Sequence, residues 1–448
     1  MKQRNQNIYI TLRVTHVRYG DESTVVVKPP TGSGLDFSSC DQVKEATMLK
    51  TNGILGGLLV LCIIILAGCA GGGSATDTTL PTPTTWAKIF GRSGPDEGVS
   101  VQQTSDGGYI VAGSTLAAGT VFYDVYLIKT DSNGNLTWEK TFGASGNEWA
   151  NSVKKTSDGG YVVVGDTDSF GSPDIYLIKT DSNGSMAWEK TLGVAGIAEH
   201  ASSIQEATDG GYIIAGFVSG AGYPDVFDVY LIKTDSNGNL VWDKTFGGAD
   251  WDLSNSVQQT LDGGYIIAGK TSSFGAGHDD VYLIKTDSSG DLVWEKTFGG
   301  TGDDYGNSVQ QTADGGYVIA GGIYSYGTGR YEVYLIKTDS NGNLVWDKTF
   351  GGTDWDYGFS VQQTLDGGYI VAGYYSVNTY NADIYLIKTD SGGNAVWEKT
   401  FAGEGWDVGL SAQQTSDAGY IVVGNTQPFG TNVPDIYLIK TDSSGNVQ

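Results

Sequence analysis

The chain has 448 residues, 39% apolar and 17% charged, with 67 glycines and a formal net charge of −25. That composition is too apolar for a disordered chain, and the glycine content suits a turn-dense all-β protein. The acid excess argues against nucleic acid or anionic headgroups as partners, whose binding rests on Lys and Arg clusters; solubility is the simplest reason for it.

Residues 1–47 share no wording with the rest of the chain and stop just before a second methionine, Met48. Translation is therefore expected to start at Met48, with 1–47 a non-native extension. From there MLKTNGILGGLLVLCIIILAGC reads as a signal peptide over 48–68. Lys50 is the positive start, 54–66 the apolar core, and Ala67 and Gly68 the small residues before Cys69. The apolar run is short of the roughly 20 residues a membrane-spanning helix needs. Its Leu66-Ala67-Gly68-Cys69 end resembles the bacterial lipobox, which implies cleavage there, a palmitate-type lipid on Cys69 and an exported protein anchored to the outer face of a membrane. An uncleaved hydrophobic anchor is the other reading. Residues 69–85, rich in small residues and proline, are expected to be a flexible tether. With Cys40 and Cys62 removed and Cys69 lipidated, no disulfide, thiol nucleophile or cysteine metal site remains. Losing 1–68 leaves 19 basic and 46 acidic residues, a net charge of −27.

From Trp86 onward one sentence is repeated seven times. Its clearest copy, residues 307–352, runs NSVQQTADGGYVIAGG, a variable loop, then YEVYLIKTDSNGNLVWDKTFGG. The tyrosines opening the YLIKTD word, Tyr126 to Tyr437, are spaced 50 to 54 residues apart. A fixed strand-rich period of this length points to a propeller. Each copy holds four β-type runs, here 308–312, 317–321, 332–338 and 344–350. Asp314-Gly315-Gly316 and Asp339-Ser340-Asn341-Gly342-Asn343 are tight-turn signals between them. The middle runs are nearly continuous in apolar residues, as expected for a sheet covered on both faces.

The ends explain each other. The domain over 86–448 opens with Trp86-Ala87-Lys88-Ile89-Phe90, worded like a fourth strand, and stops after a third strand and its turn. The N-terminal segment is thus expected to complete the last blade, closing a seven-bladed all-β propeller and hiding its free edges. The order of signals resembles the WD-repeat propeller, and the wording resembles secreted bacterial and archaeal propeller-repeat lipoproteins. Two departures matter: strand three ends in Lys-Thr-Asp instead of Trp-Asp, and Gly-Gly stands where Gly-His would be, so the WD-repeat hydrogen-bonded tetrad does not carry over. The resemblance implies placement and binding more than chemistry.

If strand one is innermost, the fourth-to-first and second-to-third loops share one face. The first kind carries Asp250-Trp251-Asp252, Asp303-Asp304-Tyr305, Asp354-Trp355-Asp356-Tyr357 and Trp406-Asp407; bracing the crossover is the alternative role for these. The second kind varies most, and aromatics concentrate in three of its loops: Phe217, Tyr223 and Phe227; then Tyr324, Tyr326, Arg330 and Tyr331; then Tyr374, Tyr375 and Tyr380. Aromatic faces beside carboxylates suit a glycan or a protein loop. The candidate binding residues are therefore Tyr324, Tyr326, Arg330, Tyr331, Trp355, Asp356, Tyr374, Tyr375 and Tyr380, with Arg330 the cation that would meet an anionic ligand.

Other chemistry has thinner support. The Asp-Ser-Asn-Gly-Asn turns lack the glycine and glutamate spacing of a calcium loop and read as hairpins. Residues that break the sevenfold pattern, Glu199 with His200, His278, Arg92, Arg330, Asp166 and Asp168, are the catalytic candidates, but no nucleophile elbow, zinc motif or phosphate loop accompanies them. The expectation is a monomeric binding module with no cofactor, no metal and no catalytic residue; a glycan-acting enzyme or a purely structural surface protein are the alternatives.

Overall fold

A computed structural model describes residues 13–19, 22–28 and 84–447, apart from 117–118, 170, 221–222, 325–328, 379–380, 402–404 and 429–432. The signal peptide, Cys69 and nearly all of the tether lie outside the described residues, as do Tyr326 and Tyr380. The chain divides into two compact units, Met1–Asp77 and Thr78–Gln448. The first contains an antiparallel hairpin of Arg13–Tyr19 with Glu22–Lys28. Among the described residues there is no helix, so none long and apolar enough to cross a membrane.

The second unit is built from one four-stranded antiparallel design. In the best example Asp304–Gln311 pairs Tyr317–Ile323, which pairs Glu332–Thr338, which pairs Leu344–Phe350. Five separate sheets have this form, and an eight-stranded sheet contains two further sets of four, joined by one parallel bridge between Ala382 and Trp406. In the C-terminal set the fourth position is filled by Trp86–Phe90, in register from Trp86 opposite Lys440 to Phe90 opposite Ile436.

Burial follows from position in the set. Second and third strands are buried along their length, whereas the fourth strand alternates exposed and half-buried residues, so it is the outer edge. First strands touch their counterparts in adjacent sets: the backbone N–H of Gln414 donates to Gln362 Oε1 at 2.7 Å, and that of Gln103 to Gln413 Oε1 at 2.7 Å. Between sets, the fourth-strand tryptophan of one lies edge-on to the second-strand tyrosine of the next, Trp294 to Tyr317 at 5.9 Å and Trp86 to Tyr109 at 5.7 Å. The core beside Trp86 joins Val101, Tyr109 and Val111 to Ile421, Ile436 and Leu438, so the C-terminal set packs on the N-terminal one.

Three boundaries differ from the sequence expectation, one of them at Phe217, Tyr223 and Phe227, expected in a loop but lying in the strands Tyr212–Gly220 and Tyr223–Thr234. First strands begin four residues early, at Asp304 and Asp356 rather than after them. A bulge near Asn307 shifts the register, so the segment before it still pairs with the end of the second strand, Asp304 opposite Ile323. Likewise Tyr374 and Tyr375, expected in a loop, belong to the strand Tyr369–Asn378, which pairs on to Asn381–Thr389 as a long hairpin.

Candidate functional site

Side-chain alternation along the long hairpin separates two residues that sequence reasoning grouped together. Tyr374 joins an aromatic pavement on the face where the crossovers and the second-to-third hairpins meet. Tyr375 points the other way, against Tyr385 at 5.4 Å and into the core between sets.

The pavement is centred on Tyr331. Its ring lies 4.5 Å from Tyr357, 5.1 Å from Tyr324, 5.6 Å from Trp355 and 5.7 Å from Tyr305. Tyr357 continues it to Tyr374 at 5.4 Å, and Tyr374 to Trp406 at 5.6 Å. Phe359 packs beneath Tyr357 and Tyr374. Tyr331 and Tyr374 are buried within the array, while Tyr324 (40%), Trp355 (46%) and Trp406 (37%) present their faces to solvent. Tyr357 lies against the backbone because position 322 is glycine: a Cβ there would stand 2.7 Å from two Tyr357 ring carbons. Burial, followed by the neighbouring phenols, raises the pKa of the Tyr357 hydroxyl. At its edge Tyr331 Oη lies 3.3 Å from Tyr305 Oη and donates to Asp303 at 3.4 Å. Lys270 packs 5.3 Å from the Tyr305 ring and 5.8 Å from Trp251, paired to Asp279 at 2.7 Å.

Asp356 plays a different part. It is fully buried, and its carboxylate accepts the N–H of Gly352 at 2.6 Å and of Ser376 at 2.9 Å, tying the crossover to the hairpin. Burial pushes its pKa up to about 6 despite those bonds. The bracing role is therefore the one its geometry displays. Arg330 is half exposed and 3.9 Å from Asp354.

Of the catalytic candidates, Asp166 and His200 do meet: His200 Nδ1 is 3.3 Å from Asp166 Oδ2, with Asn151 Nδ2 3.2 Å from the same oxygen and the imidazole stacked on Phe217 at 4.7 Å. Asp168 instead accepts from the backbone N–H of Asn147. Glu199 is a buried brace like Asp356, accepting the N–H of Val194. His278 stands almost fully exposed, 3.8 Å from Asp303. Lys270, Asp279, Gly322 and Phe359 were missed by sequence reasoning. Their signal was departure from the repeat, since Lys270 and Gly322 occupy one position and Phe359 replaces the asparagine found at 255 and 307.

No family model matches the chain. Over 254 residues it is 28% identical to the regulatory protein FlaEY of Caulobacter vibrioides, a match covering 52% of this chain and 24% of that protein. The chain thus spans about a quarter of that curated relative. Among solved structures, an ulvan lyase, a polysaccharide lyase with bound saccharide, superposes with a TM-score of 0.52 at 13% identity over 80% of this chain and 96% of the other. A puromycin hydrolase gives 0.51 at 14% identity, over 80% of this chain and 53% of the other. The fold is all-β, of repeated four-stranded antiparallel sheets in the propeller manner.

Proposed function

We propose that the chain is a closed seven-bladed propeller, exported and lipid-anchored through Cys69, whose aromatic face binds a glycan or a protein partner. The observation that carries the binding function is the pavement: Tyr305, Tyr331, Tyr357 and Tyr374 in continuous ring contact, rimmed by exposed Tyr324, Trp355 and Trp406. Contiguous exposed aromatics tend to mark interaction sites, since leaving them in water forgoes about 25 cal/mol per Å² of burial. Rings offer sugars a flat apolar face, and Asp303 and Asp354 stand by as hydroxyl acceptors. A count of seven blades is supported by reading the eight-stranded sheet as two sets, and closure by the pairing of Trp86–Phe90 with Asp435–Thr441. Lipid anchoring is supported by the wording around Cys69; Cys69→Ser should abolish palmitate labelling.

A glycan-acting enzyme is the second reading, favoured by the Asp166–His200 contact and by the lyase among the structural neighbours. A glycan array with the purified protein, followed by assay of reducing-sugar release from any hit, separates the two. Binding without release supports the module, release dependent on Asp166 supports the enzyme, and neither leaves a structural surface protein.

A further inference from the structure

Beyond the single bridge at Trp406, the outer edge of a first strand has no strand to pair with, so the N–H groups along it need other acceptors. The preceding set provides them. The Ser308 hydroxyl accepts the N–H of Val361 at 3.1 Å, and Gln310 Oε1 accepts that of Gln363 at 2.5 Å. The same serine and glutamine bonds recur at five further junctions between sets.

One junction departs from this rule. The second set has Glu148–Lys155 as its first strand and the third has Glu199–Glu206. Lysine stands at 154 where the other copies have glutamine, and an ammonium has no lone pair with which to accept the Glu206 N–H. Ser152, two residues before it and so on the same side of the strand, makes no bond to Ile204 either. The two sets are nevertheless tied on both sides of this stretch. Asn151 Nδ2 donates to the Ala201 carbonyl at 2.6 Å, and the Ser157 N–H donates to Glu206 Oε2 at 2.7 Å.

Lys154 is half-buried and has neither a hydrogen bond nor an ion pair among the described residues. Burial pushes its pKa below the ordinary lysine value, and no carboxylate offsets the shift. The nearby acid, Glu206, is already engaged by the Ser157 N–H and hydroxyl. In a chain with 51 acidic and 26 basic residues, an ammonium without a carboxylate is the exception, and it sits beside N–H groups that lack their usual acceptors.

We infer that this junction binds a carboxylate brought by a ligand, one oxygen taking the Glu206 N–H in place of the missing glutamine oxygen and the other meeting Lys154. The Ser152 hydroxyl and the Ile204 N–H are further donors on the same two strands. A single negative charge balances the single ammonium, whereas a dianion would add surplus charge to a strongly acidic protein. The carboxylate comes either from a free small acid or from an acidic sugar. The site is separate from the aromatic face and stands without it.

The test is thermal unfolding of the purified protein at neutral pH in a fixed chloride background, with about 50 mM added sodium acetate, sodium glucuronate or further sodium chloride. Acetate should raise the Tm by about 2 °C and added chloride clearly less, since a ligand held only by the folded state stabilises it. Glucuronate acting more strongly than acetate would assign the group to an acidic sugar; acetate acting at least as well would assign it to a free acid. Lys154→Gln restores the residue of the other copies. It should melt above wild type without acetate, because the Glu206 N–H regains an acceptor, and it should lose the acetate increment. Lys155→Gln makes the same charge change at the exposed neighbour and should keep that increment. An acetate increment no larger than that of chloride, or one that survives Lys154→Gln, would overturn the site.

Discussion

Lys337 Nζ lies 3.0 Å from Asp314 Oδ2, and that contact joins the third strand of a set to the turn between its first and second. The ammonium is almost entirely buried, also donating to the Thr338 carbonyl at 2.8 Å, while Asp314 is largely exposed and accepts from the Thr312 hydroxyl and the Gly316 N–H. The Lys-Thr-Asp ending that replaces Trp-Asp thus has its own purpose, since the buried lysine needs the aspartate of the Asp-Gly-Gly turn. Equivalent pairs join Lys129 to Asp106, Lys285 to Asp262 and Lys440 to Asp417.

That asymmetry predicts unequal mutants. Lys337→Met removes the buried charge and frees an aspartate that water can solvate, at a cost of about 1 to 2 kcal/mol. Asp314→Ala strands the ammonium and should cost about 3 kcal/mol or more. Urea denaturation of the two variants checks the order; equal losses would show that the ion pair is not what the lysine needs.

Stability should peak in mildly acidic buffer. At Asp106, Asp158 and Asp366, burial raises the pKa, but hydrogen bonds and the lysine ammonium outweigh it and hold the carboxyls at about 2. Their contribution is present above the unfolded value near 3.8 and is lost as pH falls toward 2. Glu199 and Asp356 run the other way, raised mainly by burial to about 7 and about 6. Their protonated forms favour the fold below their unfolded values, and that contribution disappears as pH rises through 6 and 7. Thermal melts across this range should fall off on both sides, and Glu199→Gln should flatten the neutral limb.

Ala418 is the one described non-glycine residue in the left-handed region, at φ +65°, where the other copies of the turn place glycine. Ala418→Gly should stabilise by about 1 kcal/mol, because a Cβ is penalised there. The converse, Gly315→Ala, should cost a similar amount through backbone conformation, since nothing lies within 4 Å of the added Cβ. Chemical denaturation midpoints decide both.

Deleting residues 86–91 removes the strand that covers Asp435–Thr441 and the Trp86 ring that covers Tyr109. An unpaired edge invites another chain. Light scattering should show association of the truncated protein, and a stable monomer would contradict the strand's closing role.

The four-strand design and the pairing of the chain ends were legible because they rest on local signals repeated many times: Asp-Gly turns, Asn-Gly turns and a tryptophan on each outer strand. The site was legible only in part. Composition marked Tyr324, Tyr331 and Trp355 correctly as neighbours, but Tyr374 and Tyr375 look alike until the pleat sends them to opposite faces. Gly322 and Phe359 shape the pavement by departing from the repeat, Gly322 by leaving room for the Tyr357 ring and Phe359 from within the bulge between Gly358 and Ser360, which a strand pattern does not reveal. Asp356 illustrates the reverse case, an acid beside aromatics whose hydrogen bonds are spent on the backbone of Gly352 and Ser376.

The most direct measurement is titration calorimetry of the best glycan or protein ligand against wild type and the Tyr324→Ala, Trp355→Ala double variant. Both side chains lie on the exposed rim of the array, so the melting temperature should fall little while affinity falls at least tenfold, a loss of about 1.4 kcal/mol. Unchanged affinity in a folded double variant would contradict the aromatic face as the binding site.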